Sequence, residues 1–214
     1  MEDSYKHKGM RKQLVETLQN KGIQNKEVLE AFMVVPRHFF LDKAFTEQAY
    51  TNMAFQIGAD QTISHPYTVA FQSTMLEISK GDKVLEIGTG SGFQTAILCE
   101  LGAKVFSIER QKELFLKTRH LLPKLGYSPK LKYGDGYEGW ESFAPFDKII
   151  VTCGAPYIPQ KLVEQLKPNG KLIIPVGEGS QQEMILITKS SEGEIKQTRE
   201  GVFSFVPMLK NTAK

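Results

Sequence analysis

The chain has 214 residues, 41% hydrophobic and 24% charged, with 27 Lys+Arg against 24 Asp+Glu and a formal net charge of +3. This is an ordinary globular mixture, long enough to bury one core, and its nearly balanced charge argues against a chain devoted to nucleic acid. No apolar run reaches the roughly 18 residues of a membrane span, and the opening MEDSYKHKGMRKQ has no apolar segment of a secretion signal, so a cytoplasmic protein without a membrane partner is expected.

One domain over residues 1–214 is the simplest organisation. Met10, Leu14, Val15 and Leu18 recur at helical spacing up to Gly22, and Val28, Leu29, Phe32 and Met33 do so up to Pro36. Two short amphipathic helices follow from this, with Lys6, Lys8, Arg11 and Lys12 on a solvated face. From Arg37 the pattern is irregular through QIGADQTIS, until Pro66 takes the first-turn position of a helix carrying Val69, Phe71, Met75, Leu76 and Ile78.

After this helical 1–80 segment, strand and helix alternate through 81–214. Strands are expected at 83–88, 104–109, 129–133, 147–152 and 171–175, with helices near 92–101, 111–125 and 158–167. Such alternation makes an α/β fold with a mostly parallel central sheet flanked by helices. EMILITK and the stretch from Gln197 to Phe205, joined through Ser191, Glu192 and Gly193, predict antiparallel C-terminal strands.

The segment VLEIGTGSGFQTA is a buried strand that runs through Gly88, Gly90 and Gly92 into a helix. Glycines there let a ligand approach the main chain, and the helix start offers free amides. A dinucleotide fingerprint needs glycine where Phe93 stands, and a P-loop also needs lysine at Gln94, so neither phosphate-binding motif is present. A GxGxG with an acid two residues upstream, Glu86, instead resembles the first motif of Rossmann-like S-adenosyl-L-methionine-dependent methyltransferases, whose cofactor carries no phosphate.

On that reading the cofactor residues are Glu86, the loop Gly88, Thr89, Gly90, Ser91 and Gly92, and then Glu109, Arg110, Asp135 and Gly136. Glu109 ends the next strand, where a carboxylate can accept both ribose hydroxyls, and Asp135 ends the third, where one can accept from an adenine amino group. Glu86 has a second reading, in which it holds the loop amides. Cys99 and Cys153 are too few for a disulfide framework, and Cys153 reads as a small buried residue rather than a nucleophile. His7, His38 and His120 read as surface or packing residues. No His, Cys or carboxylate cluster has metal-ligand spacing, so no metal is expected.

Amino-group methyltransferases acting on nucleic acid place Asn or Asp before Pro-Pro-Tyr after the fourth strand. Here the stretch is Gly154-Ala155-Pro156-Tyr157, without a gripping side chain. A carboxylate acceptor needs no base, because it is already ionised at neutral pH. What it needs is orientation by hydroxyl and backbone donors.

QTISHPYTVA supplies a hydroxyl. Together with VPRHFF and AFQIGADQ before it, and VLEIGTGSGFQTA, GDGYEGW, APFDKIIVTCGAPYIPQKLVEQLKPNGKLIIPVG and FSFVPML after it, it closely resembles the protein-L-isoaspartate O-methyltransferases over about Arg11 to Leu209. The resemblance implies transfer of a methyl group from S-adenosyl-L-methionine to the free α-carboxylate of L-isoaspartyl residues in proteins and peptides. The ester then collapses to a succinimide that reopens partly as normal aspartate. It implies Ser64 as the active-site serine, Gln61, Thr62, Ile63 and His65 beside the substrate, and Val206 and Pro207 as peptide contacts. His65 stands where relatives often have alanine or glutamine. A protonated His65 attracts the substrate carboxylate, a neutral one caps the helix at Pro66, and the cap is preferred. Ser64 also has a capping reading. A monomer is the default.

Overall fold

A computed structural model of the chain describes residues 2–213. Ser4 starts α1 (Tyr5–Asn20) with a capping box: its hydroxyl accepts from the His7 amide, and the His7 ring accepts from the Ser4 amide. Asn25 caps α2 (Lys26–Val34) by accepting from the Val28 amide at 2.9 Å. Both helices bury the apolar stripes that their periodicity requires, Leu14, Val15 and Leu18 on α1 and Val28, Leu29 and Phe32 on α2. Two 3-10 turns follow, at Arg37–Phe40 and Lys43–Gln48.

The stretch expected to be irregular contains a small antiparallel hairpin, β1 (Phe55–Gly58) with β2 (Gln61–Ile63). Its tip, Ala59 and Asp60, has positive φ at both residues, 51° and 56°. That turn geometry usually recruits Asn-Gly or Asp-Gly, so an Ala-Asp tip carries little turn signal. Next comes α3 (Pro66–Leu76), with Pro66 at its first position as expected.

The main sheet has seven strands in the order β5-β4-β3-β6-β7-β8-β9. They are β3 (Lys83–Ile87), β4 (Lys104–Glu109), β5 (Lys130–Tyr133), β6 (Phe146–Val151), β7 (Leu166–Val176), β8 (Gln182–Lys189) and β9 (Ile195–Phe203). The first five in that order are parallel neighbours, and β8 is antiparallel to both β7 and β9. Helices α4 (Phe93–Glu100), α5 (Lys112–Lys124) and α6 (Gln160–Glu164) connect them. The expected α/β class with antiparallel C-terminal strands is the observed one.

One boundary moves. The helix expected near 158–167 is only Gln160–Glu164, and β7 starts at Leu166 rather than 171. Leu166 is drawn out of the helix because it pairs with Phe146 across a bulge and is buried against the β6 side of the core.

Strand alternation gives the sheet two apolar faces: Leu85, Ile87, Phe106 and Ile108 pack on one, Val84, Val105 and Ile150 on the other. From β3 the chain steps to β4 and β5 on one side, then returns to β6 and β7 on the other. This reversal opens a crevice beyond the C-terminal ends of β3, β4 and β6.

Arg37 joins the N-terminal segment to that crevice. Its side chain, 1% exposed, donates to the carbonyls of Ala49, Met53 at 2.8 Å and Ser64 at 3.1 Å. Its guanidinium also lies 5.6 Å from the ring centroids of both Phe55 and Phe93. Burial pushes its pKa down to about 9, which leaves it charged at neutral pH. Arg37→Met should therefore strand three carbonyls and destabilise the fold by about 3–5 kcal/mol. A urea midpoint unchanged by the substitution would contradict this.

Candidate active site

The crevice is a cleft lined by the ends of β3 and β4, the residues just after β6, the Gln61–Ser64 segment and the Val206–Leu209 segment. The glycine loop forms its floor. Gly88 has φ 95°, and a Cβ there would lie 2.5 Å from the Thr152 hydroxyl, which donates to the Gly88 carbonyl at 2.7 Å. Any larger residue would push the loop off β6. Gly88, Thr89, Gly90 and Ser91 line the cleft, whereas Gly92 caps α4 and packs against Thr118 and Leu122 outside it.

Glu109 is 3% exposed at the end of β4. Its carboxylate accepts the Gly90 amide at 2.7 Å and the Gln111 amide at 2.8 Å. Burial pushes its pKa up, while those amides and the neighbouring Arg110 oppose the rise. A carboxylate has about four lone-pair positions. The two amides leave the others available to hydroxyls in the cleft.

Two of the expected cofactor acids are placed differently. Glu86 is wholly buried within β3 and does not line the cleft. Nor does it hold loop amides, which is the role of Glu109. One oxygen accepts from the Thr95 hydroxyl of α4 at 2.5 Å, and the other has no partner. Asp135 also lies outside the lining: its oxygens accept from the Tyr137 amide at 2.8 Å and the Asn211 amide at 2.6 Å. Gly136 does line the cleft, and a Cβ there would lie 2.3 Å from Ile87 Cγ2.

The Asn211 contact belongs to a C-terminal strap that sequence reasoning missed. Ala213 donates its amide to the Arg110 carbonyl at 2.9 Å, and Arg110 Nε donates to the Asn211 carbonyl at 3.0 Å. The Tyr133 hydroxyl donates to the Ala213 carbonyl. No local pattern announces contacts with partners about a hundred residues distant.

Gln61, Thr62, Ile63 and Ser64 form one wall, and Val206 to Leu209 form the other. Arg37 fixes Ser64 through its carbonyl, while its hydroxyl bonds no other side chain or backbone group among the described residues. The opposite wall hangs on Gly154, whose amide donates to the Val206 carbonyl at 2.8 Å and whose carbonyl accepts from Met208 at 2.7 Å. A Cβ at Gly154 would strike Gln182 at 2.8 Å, which is why the position has no room for a gripping side chain.

His65 departs from both of its readings. It occupies the cap position of α3 but makes no side-chain capping bond; Asn52 instead accepts from the Tyr67 amide at 2.8 Å. Burial and then the nearby charge of Arg37 push its pKa down, so it is neutral at neutral pH. It lines a second groove, not the cleft.

Cys153 does line the cleft, but burial pushes its thiol up to about 12, far from an active nucleophile. No histidine reaches the cleft among the described residues. Elsewhere, ligand atoms of Asp3, His7 and His38 lie within 4.8 Å of one another, an arrangement that spacing along the chain did not suggest. The histidine rings stack at 3.9 Å. These atoms already have partners: Asp3 takes Arg11, and His38 meets the Tyr50 hydroxyl and the Glu2 carbonyl.

Comparison with known proteins follows the same outline. A family model described as Protein-L-isoaspartate(D-aspartate) O-methyltransferase (PCMT) matches residues 9–213. A protein-L-isoaspartate O-methyltransferase of Flavobacterium psychrophilum is 59% identical over 212 residues, 99% of each chain, and one of Christiangramia forsetii is 57% identical with the same coverage. A solved Plasmodium falciparum structure described as a protein-L-isoaspartate O-methyltransferase in complex with S-adenosyl-L-homocysteine superposes with TM-score 0.81 at 26% identity, covering 96% of this chain and 99% of that one. A further protein-L-isoaspartate O-methyltransferase structure gives TM-score 0.85 at 26% identity, over 94% of this chain and 66% of that one.

Burial outweighs the hydroxyl bond from Thr95 and pushes the Glu86 carboxyl up to about 8, so it is protonated at pH 7. In the unfolded chain the group ionises near 4.5. Between these values the folded state holds the extra proton, so this group's contribution to stability falls as pH rises. Glu86→Gln mimics the protonated acid. It should match the parent at pH 4.5 and exceed it by roughly 2–4 kcal/mol at pH 8. Denaturation midpoints that run parallel with pH would contradict this.

Proposed function

The chain belongs to the protein-L-isoaspartate(D-aspartate) O-methyltransferase family, and we propose that its cleft performs that family's repair reaction with the wall and floor residues in the following roles. The donor is S-adenosyl-L-methionine and the acceptor is the free α-carboxylate of an L-isoaspartyl residue. The donor supplies a sulfonium-activated methyl group. The donor set of the cleft fits it: Glu109 keeps lone pairs for a ribose diol, the glycine loop lines the floor, and no lysine among the described residues lines the cleft to take a phosphate.

Ser64 is the group assigned to the acceptor. Its hydroxyl donates to one carboxylate oxygen and leaves the other aimed across the cleft toward the donor. Thr62, Ile63, Val206 and Pro207 enclose the substrate backbone between the two walls. The acceptor is already ionised, so no base is required, and the absence of a histidine among the cleft-lining residues suits that chemistry. Donor cation and acceptor anion neutralise each other as the methyl moves, so a dry, orienting cleft favours the reaction.

We place this activity in one domain, residues 1–214, acting as a monomer in the cytoplasm on proteins and peptides, without nucleic acid or membrane. The α1–α2 segment shares a core with α4 and α5, and both cleft walls come from one chain. Both cysteines are unpaired, as in a reducing compartment. The cation lining the cleft, Arg110, already binds the strap. Among the described residues, no helix is long and apolar enough to cross a membrane.

The observation that carries the role of Ser64 is its unpartnered hydroxyl on a wall held by Arg37. Ser64→Ala should lower turnover on an isoaspartyl peptide about 100-fold, by analogy with removing one donor to a reacting oxygen, while S-adenosyl-L-homocysteine still binds. Turnover retained at the parental level would assign Ser64 a structural role only.

A further inference from the structure

Both walls of the cleft continue past it. On one wall Ser64 lines the cleft and His65 lines a neighbouring groove; on the other, Val206 lines the cleft and Ser204 the groove. The groove is open, with Tyr67, Phe71 and Phe203 in its lining. Tyr67 and Phe203 stack at 6.4 Å with their planes 13° apart, and Phe71 lies 5.0 Å from Phe203. All three rings are only partly buried, and Val202 beside them is 61% exposed. The two charged side chains nearby are opposite in sign: Lys21 sits 5.8 Å from the Tyr67 ring, and Glu200 lines the groove.

Partly exposed aromatic rings beside a reaction cleft offer apolar surface to whatever enters with the substrate. Extended chain advances about 3.5 Å per residue. An isoaspartyl carboxylate held at Ser64 therefore brings the next residue or two to His65 and the groove. We infer that this groove is a side-chain subsite for a residue flanking the isoaspartyl residue, and that it selects a large aromatic side chain. The inference rests on the isoaspartyl reading of the cleft. It makes Tyr67, Phe71 and Phe203 specificity-determining residues, while the chemistry stays at Ser64.

The test uses a glycine-serine peptide with a single L-isoaspartyl residue, and a series with phenylalanine at each of the two positions on either side. One placement should lower KM about tenfold, the factor that corresponds to about 1.4 kcal/mol, with kcat unchanged. Phe203→Ala removes part of the aromatic lining, and the exposed Val202→Asp places a charge beside it without touching the core. Each should return that KM to the glycine value and leave the glycine peptide's KM and kcat at the parental level. Equal KM at every placement would overturn the subsite while leaving the repair reading intact, as would an aromatic advantage that survives Val202→Asp. A parent protein that forms no ester on the glycine peptide would overturn the repair reading and the subsite together.

Discussion

A buried guanidinium seeks acceptors for its donors, and in this protein the two terminal nitrogens of Arg37 find three of them, in contacts that tie the N-terminal segment to the cleft. Arg37 meets carbonyls at Ala49, Met53 and Ser64, so three turns of an otherwise loosely patterned segment are referred to one planar group. The same side chain lies against Phe93, the first residue of α4 and the end of the glycine loop. The wall assigned to the acceptor and the floor assigned to the donor thus share one reference. Methyl transfer between preionised partners depends on position above all, and Arg37 is where position is set.

Burial sorts the carboxylates of the site. Glu86 and Glu109 lie on neighbouring parallel strands, yet Glu86 pairs in register with Ser107 inside the sheet, while Glu109 reaches the strand end. One is neutral and ties β3 to α4; the other, held by amides, faces the cleft. Asp135 shows a third outcome, in which the acid secures the C-terminal strap while its neighbour Gly136 lines the cleft. Three acids that the sequence assigned to one cofactor site thus have three different surroundings.

The α/β alternation and the glycine loop were legible because they rest on local signals: apolar periods of two and 3.6, glycines at a strand end, and a proline opening α3; the two wall segments were implied only by the family resemblance. The β1–β2 hairpin was not, since its strands are four and three residues long and its tip lacks the usual turn residues. Arg37, the strap and the stacked His7–His38 pair were hidden for another reason. Each depends on partners far away in sequence, and nothing in a local window distinguishes a buried arginine from a solvated one. His65 was misread because capping was assigned by position alone, whereas Asn52, thirteen residues earlier, supplies the acceptor.

The most direct measurement is methyl transfer from radiolabelled S-adenosyl-L-methionine to two peptides that differ only in one L-isoaspartyl or L-aspartyl residue, read as base-labile ester. Label is expected on the isoaspartyl peptide alone. Equal label on both peptides, or none on either with donor binding established, would contradict it.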